Sequence, residues 1–257
     1  MPDILKVILL AVVQGLTEFL PVSSSGHIVL VNRFLGLETP DVTLEVTIHA
    51  GTLLAVLAYY RIRITKFLAD VKQFNREGKH DLLTVTCGTI PIVIAGLSFK
   101  YRLEPLFDDP LRAAWMLIVT GLMLCTLFIA PRSSRKMTGP ISLIIGFAQA
   151  IALLPGISRS GTTITVARHF GIAPEKAAEF SLLLMLPAVG GAIILASLDV
   201  SDAGLGNLTV VELLCALATS ALVGYGAIIL LVKALSAGYF KWFGIYCIIA
   251  GAAGVFL

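Results

Sequence analysis

The chain has 257 residues, of which 57% are hydrophobic and only 14% are charged, and its formal net charge is +3. A soluble domain carries roughly 25% charged residues, so the composition excludes an ordinary soluble protein and predicts a membrane protein. Nucleic-acid binding is excluded because no basic face with interleaved aromatic residues is present. The four cysteines all lie in apolar segments without CxxC or Cys/His spacing, which argues against zinc sites and disulfides.

Eight apolar stretches follow one another along the chain. Six of them can cross a membrane as single helices of roughly 17–25 residues, namely 44–60, 82–99, 113–130, 177–198, 208–232 and 242–257. The other two, 4–31 and 140–170, are longer and are interrupted by proline and glycine. Irregular backbone at membrane depth is tolerated only where protein or a wet cavity surrounds it. We therefore predict two re-entrant helix–loop–helix hairpins, and kinked spanning helices are the alternative.

Loop charges predict the orientation of these segments. Lysine and arginine concentrate in the loops 61–80, 131–139 and 233–241, whereas the loop 199–207 has two aspartates and no basic residue. Cytoplasmic loops carry the excess of basic residues, so the first three loops are predicted to be cytoplasmic. The hairpin 4–31 then enters the membrane from outside and the hairpin 140–170 enters from inside.

The two interrupted segments resemble each other. A shift of 135 positions places Gln14 on Gln149, Ser23 on Ser158, Ser25 on Ser160 and Gly26 on Gly161 without a gap. We predict one all-α polytopic membrane domain, 1–257, made of internal repeats at about 1–130 and 131–257. Together with the loop charges, this repeat predicts an inverted-topology fold, in which broken helices meet near the membrane midplane.

The first interruption carries a carboxylate, hydroxyls and a histidine. Gln14 and Glu18 are four residues apart and share one helix face, and Pro21 is predicted to end that helix. The tip that follows, Ser23–Gly26, offers hydroxyl and backbone N–H groups that can bind an anion. Glu18 can hold a divalent cation or act as a base, Ser24 or a neighbour can be a nucleophile, and His27 can transfer protons.

The second interruption has the same parts and adds an arginine. The tip Pro155–Thr163 includes Ser158, Ser160, Gly161 and Thr163 as candidate substrate-binding residues, beside Ser23, Ser25 and Gly26 of the first tip. The guanidinium of Arg159 matches phosphate oxygens. Because each tip alone would leave a charged group in hydrocarbon, we predict that the tips meet. Carboxylate, histidine, serine and arginine together suffice for hydrolysis of a phosphate ester or anhydride.

These motifs resemble those of a known family. QGLTEFLPVSSSGH (14–27) and LLPGISRSGTTIT (153–165) are similar to the two hallmark motifs of the undecaprenyl-diphosphatase, or bacitracin-resistance, family, and the resemblance extends to 44–56 and 177–187. The resemblance implies that Glu18, Ser24, His27 and Arg159 are catalytic and that Gln14, Ser158 and Thr163 line the site. Where the family has Glu or Gln, this chain has Gln14, which lowers the local negative charge.

The resemblance also implies the reaction and its setting. It implies removal of one phosphate from the C55 polyprenyl diphosphate carrier, which recycles the lipid for cell-wall synthesis and confers bacitracin resistance. A divalent cation, Mg²⁺ or Ca²⁺, is expected with Glu18 as its ligand. The expected partners are the lipid substrate and the bilayer, without nucleic acid, and a homodimer is one open alternative. The protein is expected in the bacterial inner membrane, with its site facing outside.

Other interpretations stay open at this point. The inverted repeat also fits a polyprenyl-phosphate flippase or transporter, and SGH (25–27) with SR (158–159) echoes type-2 phosphatidic acid phosphatases, whose Lys/Arg-Pro motif is absent here. Serine and threonine in membrane helices often only pack helices together. Glu45 and Glu179 lie nearly in the repeat register, and we predict that they accept N–H groups of the hairpin tips.

Overall fold

The computed structural model describes residues 3–35, 42–131, 134–203 and 208–256. These residues form α-helices and three short 3₁₀ turns, with one isolated β-bridge between Arg135 and Ile172 and no strand. The helices are α1 (Asp3–Phe19), α2 (Ser24–Leu35), α3 (Val42–Tyr59), α4 (Arg61–Lys72), α5 (Arg76–Leu103), α6 (Pro110–Cys125), α7 (Gly139–Ile151), α8 (Arg159–His169), α9 (Pro174–Ala203), α10 (Val210–Ser236) and α11 (Phe243–Val255). The predicted all-helical class is thus confirmed for the described residues.

Five helical segments within the described residues are long and apolar enough to cross a membrane, namely Val42–Tyr59, Arg76–Phe99, Pro110–Ile129, Pro174–Ser197 and Val210–Ser236. The sixth predicted span, 242–257, corresponds to a shorter apolar segment, Phe240–Val255, that includes α11. The protein is therefore a multi-pass membrane protein. Both predicted interruptions are present, because α1 and α2 are separate helices and so are α7 and α8.

Local signals set several helix boundaries. The Asp109 side chain accepts a hydrogen bond from the backbone N–H of Arg112 and so caps α6, with Pro110 in the first turn. Thr209 and Glu212 form a reciprocal capping box at the start of α10. Residues 61–80, predicted as a loop, instead contain α4 and the start of α5. None of the residues of α4 is buried. In the loop 199–207, residues 199–203 continue α9 and residues 204–207 lie outside the described residues.

Helix packing pairs the two halves of the chain. α1 packs against α10, α7 against α5, and α6 against α11. Glycines allow the last contact to be close: a Cβ added to Gly121 would lie 2.6 Å from the carbonyl oxygen of Gly244. Small residues permit such close backbone approach between membrane helices. The largest buried apolar cluster includes Phe19, Leu184 and Ile228, and it surrounds the ends of the interrupted helices.

A cluster of ion pairs ties α4 to α5 and α9. Arg63 Nε lies 2.5 Å from Glu179 Oε1, and Arg63 Nη2 lies 2.6 Å from Asp81 Oδ2. Burial lowers the pKa of Arg63, but the hydrogen bonds to these two carboxylates raise it above its ordinary value, so the guanidinium stays charged. Glu179 also accepts from Lys176 Nζ at 2.8 Å. The prediction that Glu179 caps a hairpin tip is therefore wrong, since basic side chains engage both of its oxygens.

Candidate active site

The first interruption is a tight break between α1 and α2. Pro21 has no N–H to continue α1, and Ser23 adopts the left-handed backbone region, with φ of 65°. The Ser23 hydroxyl oxygen accepts from the backbone N–H of Gly26 at 3.3 Å. The predicted tip, Ser23–Gly26, is corrected: Ser24, Ser25 and Gly26 already form the first turn of α2, because Ser23 caps that helix.

The second interruption also ends in a serine cap, but its left-handed residue is Gly156, whereas Ser158, the counterpart of Ser23, has extended backbone. Gly156 has φ of 94°, and a Cβ there would lie 2.3 Å from the carbonyl oxygen of Ala113, so the position requires glycine. The Ser158 hydroxyl oxygen caps α8 by accepting from the N–H of Gly161 at 3.1 Å. The turn therefore occupies residues 152–158, and the part of the predicted tip from Arg159 to Thr163 belongs to α8.

The two breaks contact each other, as predicted. Arg159 Nη2 lies 2.6 Å from Glu18 Oε1, although the residues are 141 positions apart. The backbone N–H of Gly156 donates to the Ser25 hydroxyl oxygen at 3.4 Å, and the Ser160 hydroxyl donates to the carbonyl oxygen of Leu20 at 3.3 Å. Residues from both halves of the chain thus form one polar cluster.

Glu18 lies at the centre of this cluster. Its second oxygen, Oε2, accepts from the Ser24 hydroxyl at 2.6 Å and from Gln14 Nε2 at 2.9 Å. The side chains of Glu18 and Arg159 are only 7% and 13% exposed. A buried ion pair persists only when hydrogen bonds satisfy its remaining polar atoms, and Gln14 and Ser24 do so here. The carboxylate is therefore aligned to polarise the Ser24 hydroxyl, and Arg159 presents a positive charge beside it.

A cavity of about 1040 Å³ opens onto this cluster. Seven of the predicted site residues line it, namely Gln14, Glu18, Ser23, Ser24, Ser25, Ser158 and Arg159. Part of the cavity wall is apolar and includes Ala188, Ala192 and Ile193 of α9. Such a cavity, apolar with a few convergent polar groups, suits an amphiphilic ligand that has an anionic head.

His27 stands apart from the cavity wall. Its Nδ1 lies 2.9 Å from the carbonyl oxygen of Ser23, so this nitrogen carries the proton and donates. Its Nε2 lies 2.8 Å from the hydroxyl of Tyr246, which then donates to it. Both ring nitrogens are thus engaged, and His27 is not among the residues that line the cavity. No sequence motif pointed to Tyr246, because it lies on α11, 219 positions from His27.

Three predicted substrate-binding residues of α8 and one of α2 are absent from the cavity wall. Gly26, Ser160, Gly161 and Thr163 are buried but do not line the cavity. The Thr163 hydroxyl lies 2.6 Å from the Ser181 hydroxyl and also donates to the Arg159 carbonyl oxygen at 2.9 Å. The contacts of Thr163 are thus with other protein groups, and contact of these four residues with a substrate stays a prediction.

The cavity also has charged residues that the site prediction omitted. Arg33 lines it from α2, Asp108 from the connection between α5 and α6, and Glu45 and His49 from α3. The pattern LEVTIHAGT, with Glu45 and His49 four residues apart in an apolar helix, was the available signal for the last two. Glu45, predicted to cap a tip, has its side chain on the cavity wall.

Few side chains in this cluster could act as ligands for the expected divalent cation. Within the described residues, no group of three His, Cys, Asp or Glu side chains is close enough to hold a metal. However, Gln14 Oε1 is buried without a hydrogen-bond partner, and it lies on the same helix face as Glu18. An amide oxygen and a carboxylate are ligands for Mg²⁺ or Ca²⁺, and Mg²⁺ at phosphate sites takes its other ligands from substrate and water. The residues present therefore fit a cation that is shared with a phosphate substrate.

The fold and the cluster define a polytopic membrane protein in which two broken helices form a buried polar cluster beside a cavity. A sequence profile of the bacitracin resistance protein BacA family matches residues 7–253. Similar relatives are the undecaprenyl-diphosphatases of Rhodopirellula baltica, 38% identical, covering 100% of this chain and 99% of the relative, and Salinibacter ruber, 36% identical with 98% of both covered. The undecaprenyl-diphosphatase 1 of Bacillus licheniformis is 38% identical, with 97% and 96% covered. The chain belongs to the bacitracin resistance protein BacA family.

Proposed function

We propose that this protein hydrolyses undecaprenyl diphosphate to the monophosphate and inorganic phosphate, and so confers bacitracin resistance. The relatives' names describe this activity. The observation that carries the proposal is the buried Arg159–Glu18–Ser24 cluster at one end of a cavity with an apolar wall. The flippase alternative is not favoured, because these relatives are named as diphosphatases.

Each residue of the cluster has a role in this reaction. Arg159 binds the terminal phosphate, because its guanidinium can donate two parallel hydrogen bonds to phosphate oxygens. Glu18 accepts the hydrogen bond of the Ser24 hydroxyl and can take its proton if Ser24 attacks phosphorus. Water is the alternative nucleophile. His27 would assist proton transfer, with its ring held in place by the hydrogen bond from Tyr246.

A divalent cation is part of the proposal. Glu18 and the unpartnered Gln14 Oε1 would hold it together with substrate oxygens. When bound, the cation would neutralise charge on the diphosphate. The chain's own residues still orient the substrate, because Arg159 and the Ser24 hydroxyl meet on opposite oxygens of Glu18.

The two breaks support the inverted repeat and the re-entrant hairpins. The hydroxyls of Ser23 and Ser158 make equivalent hydrogen bonds. Each accepts from the backbone N–H three residues later, and each lies 3.2 or 3.3 Å from the hydroxyl of the serine two residues later. The helix packing follows the same relation. α1 of the first half packs on α10 of the second half, and α7 of the second half packs on α5 of the first half. We propose that residues of about 1–130 and 131–257 are inverted copies, and that α11 is the sixth membrane-spanning helix. The oligomeric state, with the homodimer as one alternative, stays a prediction.

The cavity is proposed to open outside the bacterial inner membrane. Its outer part is lined by Arg33, Val42 and Asp108, at the end of the bundle where α3 begins. α3 ends next to α4, which carries Arg63, Lys66 and Lys72 at the opposite end. Because basic residues mark the cytoplasmic side, the cavity faces outward.

Cysteine at Ser25 in a cysteine-free background should react with a membrane-impermeant thiol reagent from outside. Labelling from the cytoplasmic side alone would overturn this orientation.

Purified protein tests the activity. We expect wild type to convert undecaprenyl diphosphate to one monophosphate and one inorganic phosphate. Glu18→Gln should lower kcat by at least about 100-fold, since removing one group that stabilises a transition state typically costs that much. The matched control is Glu77→Gln, whose carboxylate is 73% exposed in a surface pair with Lys66, and which should keep full activity. No phosphate from wild type, or release of diphosphate instead, would contradict the proposal.

A further inference from the structure

A second histidine lies on the cavity wall. His49, on α3, lines the same cavity as Glu18, Ser24 and Arg159. It is half-buried. None of the roles described above uses it.

The hydrogen bond of His49 fixes its basic nitrogen. Nδ1 lies 2.9 Å from the carbonyl oxygen of Glu45, one turn earlier in α3. A carbonyl oxygen only accepts, so Nδ1 carries the proton and Nε2 has the free lone pair. Within the described residues, Nε2 has no hydrogen-bond partner. The ring is thus held by its own helix, with an unengaged proton acceptor.

The other candidate bases are engaged in this conformation. Both oxygens of Glu18 are used, by Arg159 on one side and by Ser24 and Gln14 on the other. Both ring nitrogens of His27 are bonded as well. Hydrolysis of a phosphate anhydride ends with attack by water in either route, directly or on a phosphoserine, and that water needs a proton acceptor.

We propose that His49 is the general base that activates water in this cavity. The inference rests on the proposed function. In the direct route, the water oxygen forms a bond to the terminal phosphorus. The bond from that phosphorus to the bridging oxygen breaks, and the electron pair leaves with the lipid monophosphate. The proton of the water goes to His49 Nε2 and then to solvent through the cavity. In the serine route, the same transfer accompanies attack by water on the phosphoserine. The bond from phosphorus to the Ser24 oxygen then breaks, and that oxygen takes back the proton held by Glu18.

Several charged groups share the cavity with His49 and will tune it. Acidic and basic side chains come from α1, α2, α3, α8 and the connection between α5 and α6, and they are Glu18, Arg33, Glu45, Asp108, Asp109 and Arg159. Because acid and base groups are mixed, a simple pH profile would not isolate His49. Chemical rescue is a more specific test, since added imidazole can replace only the missing ring.

The experiment uses purified full-length His49→Ala and His49→Gln, with phosphate release from undecaprenyl diphosphate as the readout. General bases contribute roughly 10²–10⁴-fold, so we expect both variants to lose at least about 100-fold in kcat. KM should change less than about threefold, because Arg159 still binds the phosphate. Imidazole should raise the rate of His49→Ala at least about tenfold and should not raise that of His49→Gln, whose side chain fills the space.

Controls separate this inference from the proposed function. His80→Ala, at an exposed position near the start of α5, should keep full activity with or without imidazole. If wild type releases no phosphate, the proposed function fails. If wild type is active and His49→Ala loses less than about threefold, or loses activity without imidazole rescue, the general-base role is wrong. A thermal unfolding midpoint equal to that of wild type excludes misfolding as the cause, and imidazole rescue would itself require a folded site.

Discussion

Replacing Arg159 with lysine separates the charge of this residue from its hydrogen-bonding geometry. Arg159 Nη2 lies 2.6 Å from Glu18 Oε1, and both side chains are almost fully buried. Lysine keeps the positive charge but loses the planar fork that matches phosphate. The variant should therefore insert and fold, because Glu18 keeps a cationic partner.

The magnitude follows from the contact that is lost. A hydrogen bond to a charged group contributes about 1.5–3 kcal/mol, and each 1.36 kcal/mol is a factor of ten in rate. Arg159→Lys should therefore lower kcat/KM by about 10- to 150-fold. Arg159→Met would also leave the Glu18 carboxylate buried and unpaired, which costs about 3–5 kcal/mol of stability, so its unfolding midpoint should fall well below that of the lysine variant.

Phosphate release and thermal unfolding in detergent test this pair of expectations. Arg61→Lys is the matched control, because Arg61 is exposed and, within the described residues, donates only to the Ala58 carbonyl oxygen at 3.1 Å. It should retain wild-type turnover. Near-normal turnover of Arg159→Lys would show that only charge matters at this position, and the argument from bidentate geometry would then be refuted.

Three further substitutions probe the two breaks and their neighbours. Ser23 has φ of 65°. Both Ser23→Gly and Ser23→Ala remove the capping hydroxyl, but only glycine also relieves the backbone strain. The alanine variant should therefore be less stable than the glycine variant by about 1 kcal/mol, and the reverse order of unfolding midpoints would contradict this. Gln14→Glu places a second carboxylate beside Glu18 and should make activity depend more steeply on added Mg²⁺; an unchanged Mg²⁺ titration would argue against a cation there. Tyr246→Phe removes the hydrogen bond to His27 Nε2 and should lower kcat up to about fivefold, since one such bond contributes about 1 kcal/mol; unchanged kcat would indicate that His27 does not need this partner.

The sequence predicted the breaks because their signals are local. Proline, glycine and serine cluster at Pro21, Ser23 and Gly156, and such a cluster favours a break in a membrane helix. The matching motifs predicted that the breaks would meet. The exact helix starts were wrong by a few residues, because a serine that caps a helix looks in sequence like part of the turn. The Arg63–Glu179 pair and the contact of Tyr246 with His27 were missed, since both join residues more than 100 positions apart without any motif.

The most direct test of the account is a structure with a non-hydrolysable polyprenyl diphosphate analogue bound. We predict that the terminal phosphonate lies between the two breaks, within hydrogen-bond distance of the Arg159 guanidinium and the Ser24 hydroxyl, with the lipid tail along the apolar wall at Ala188 and Ala192. A diphosphate group that contacts only one break, or that binds at the opposite end of the bundle near Arg63, would contradict the claim that both halves of the chain form one hydrolytic site.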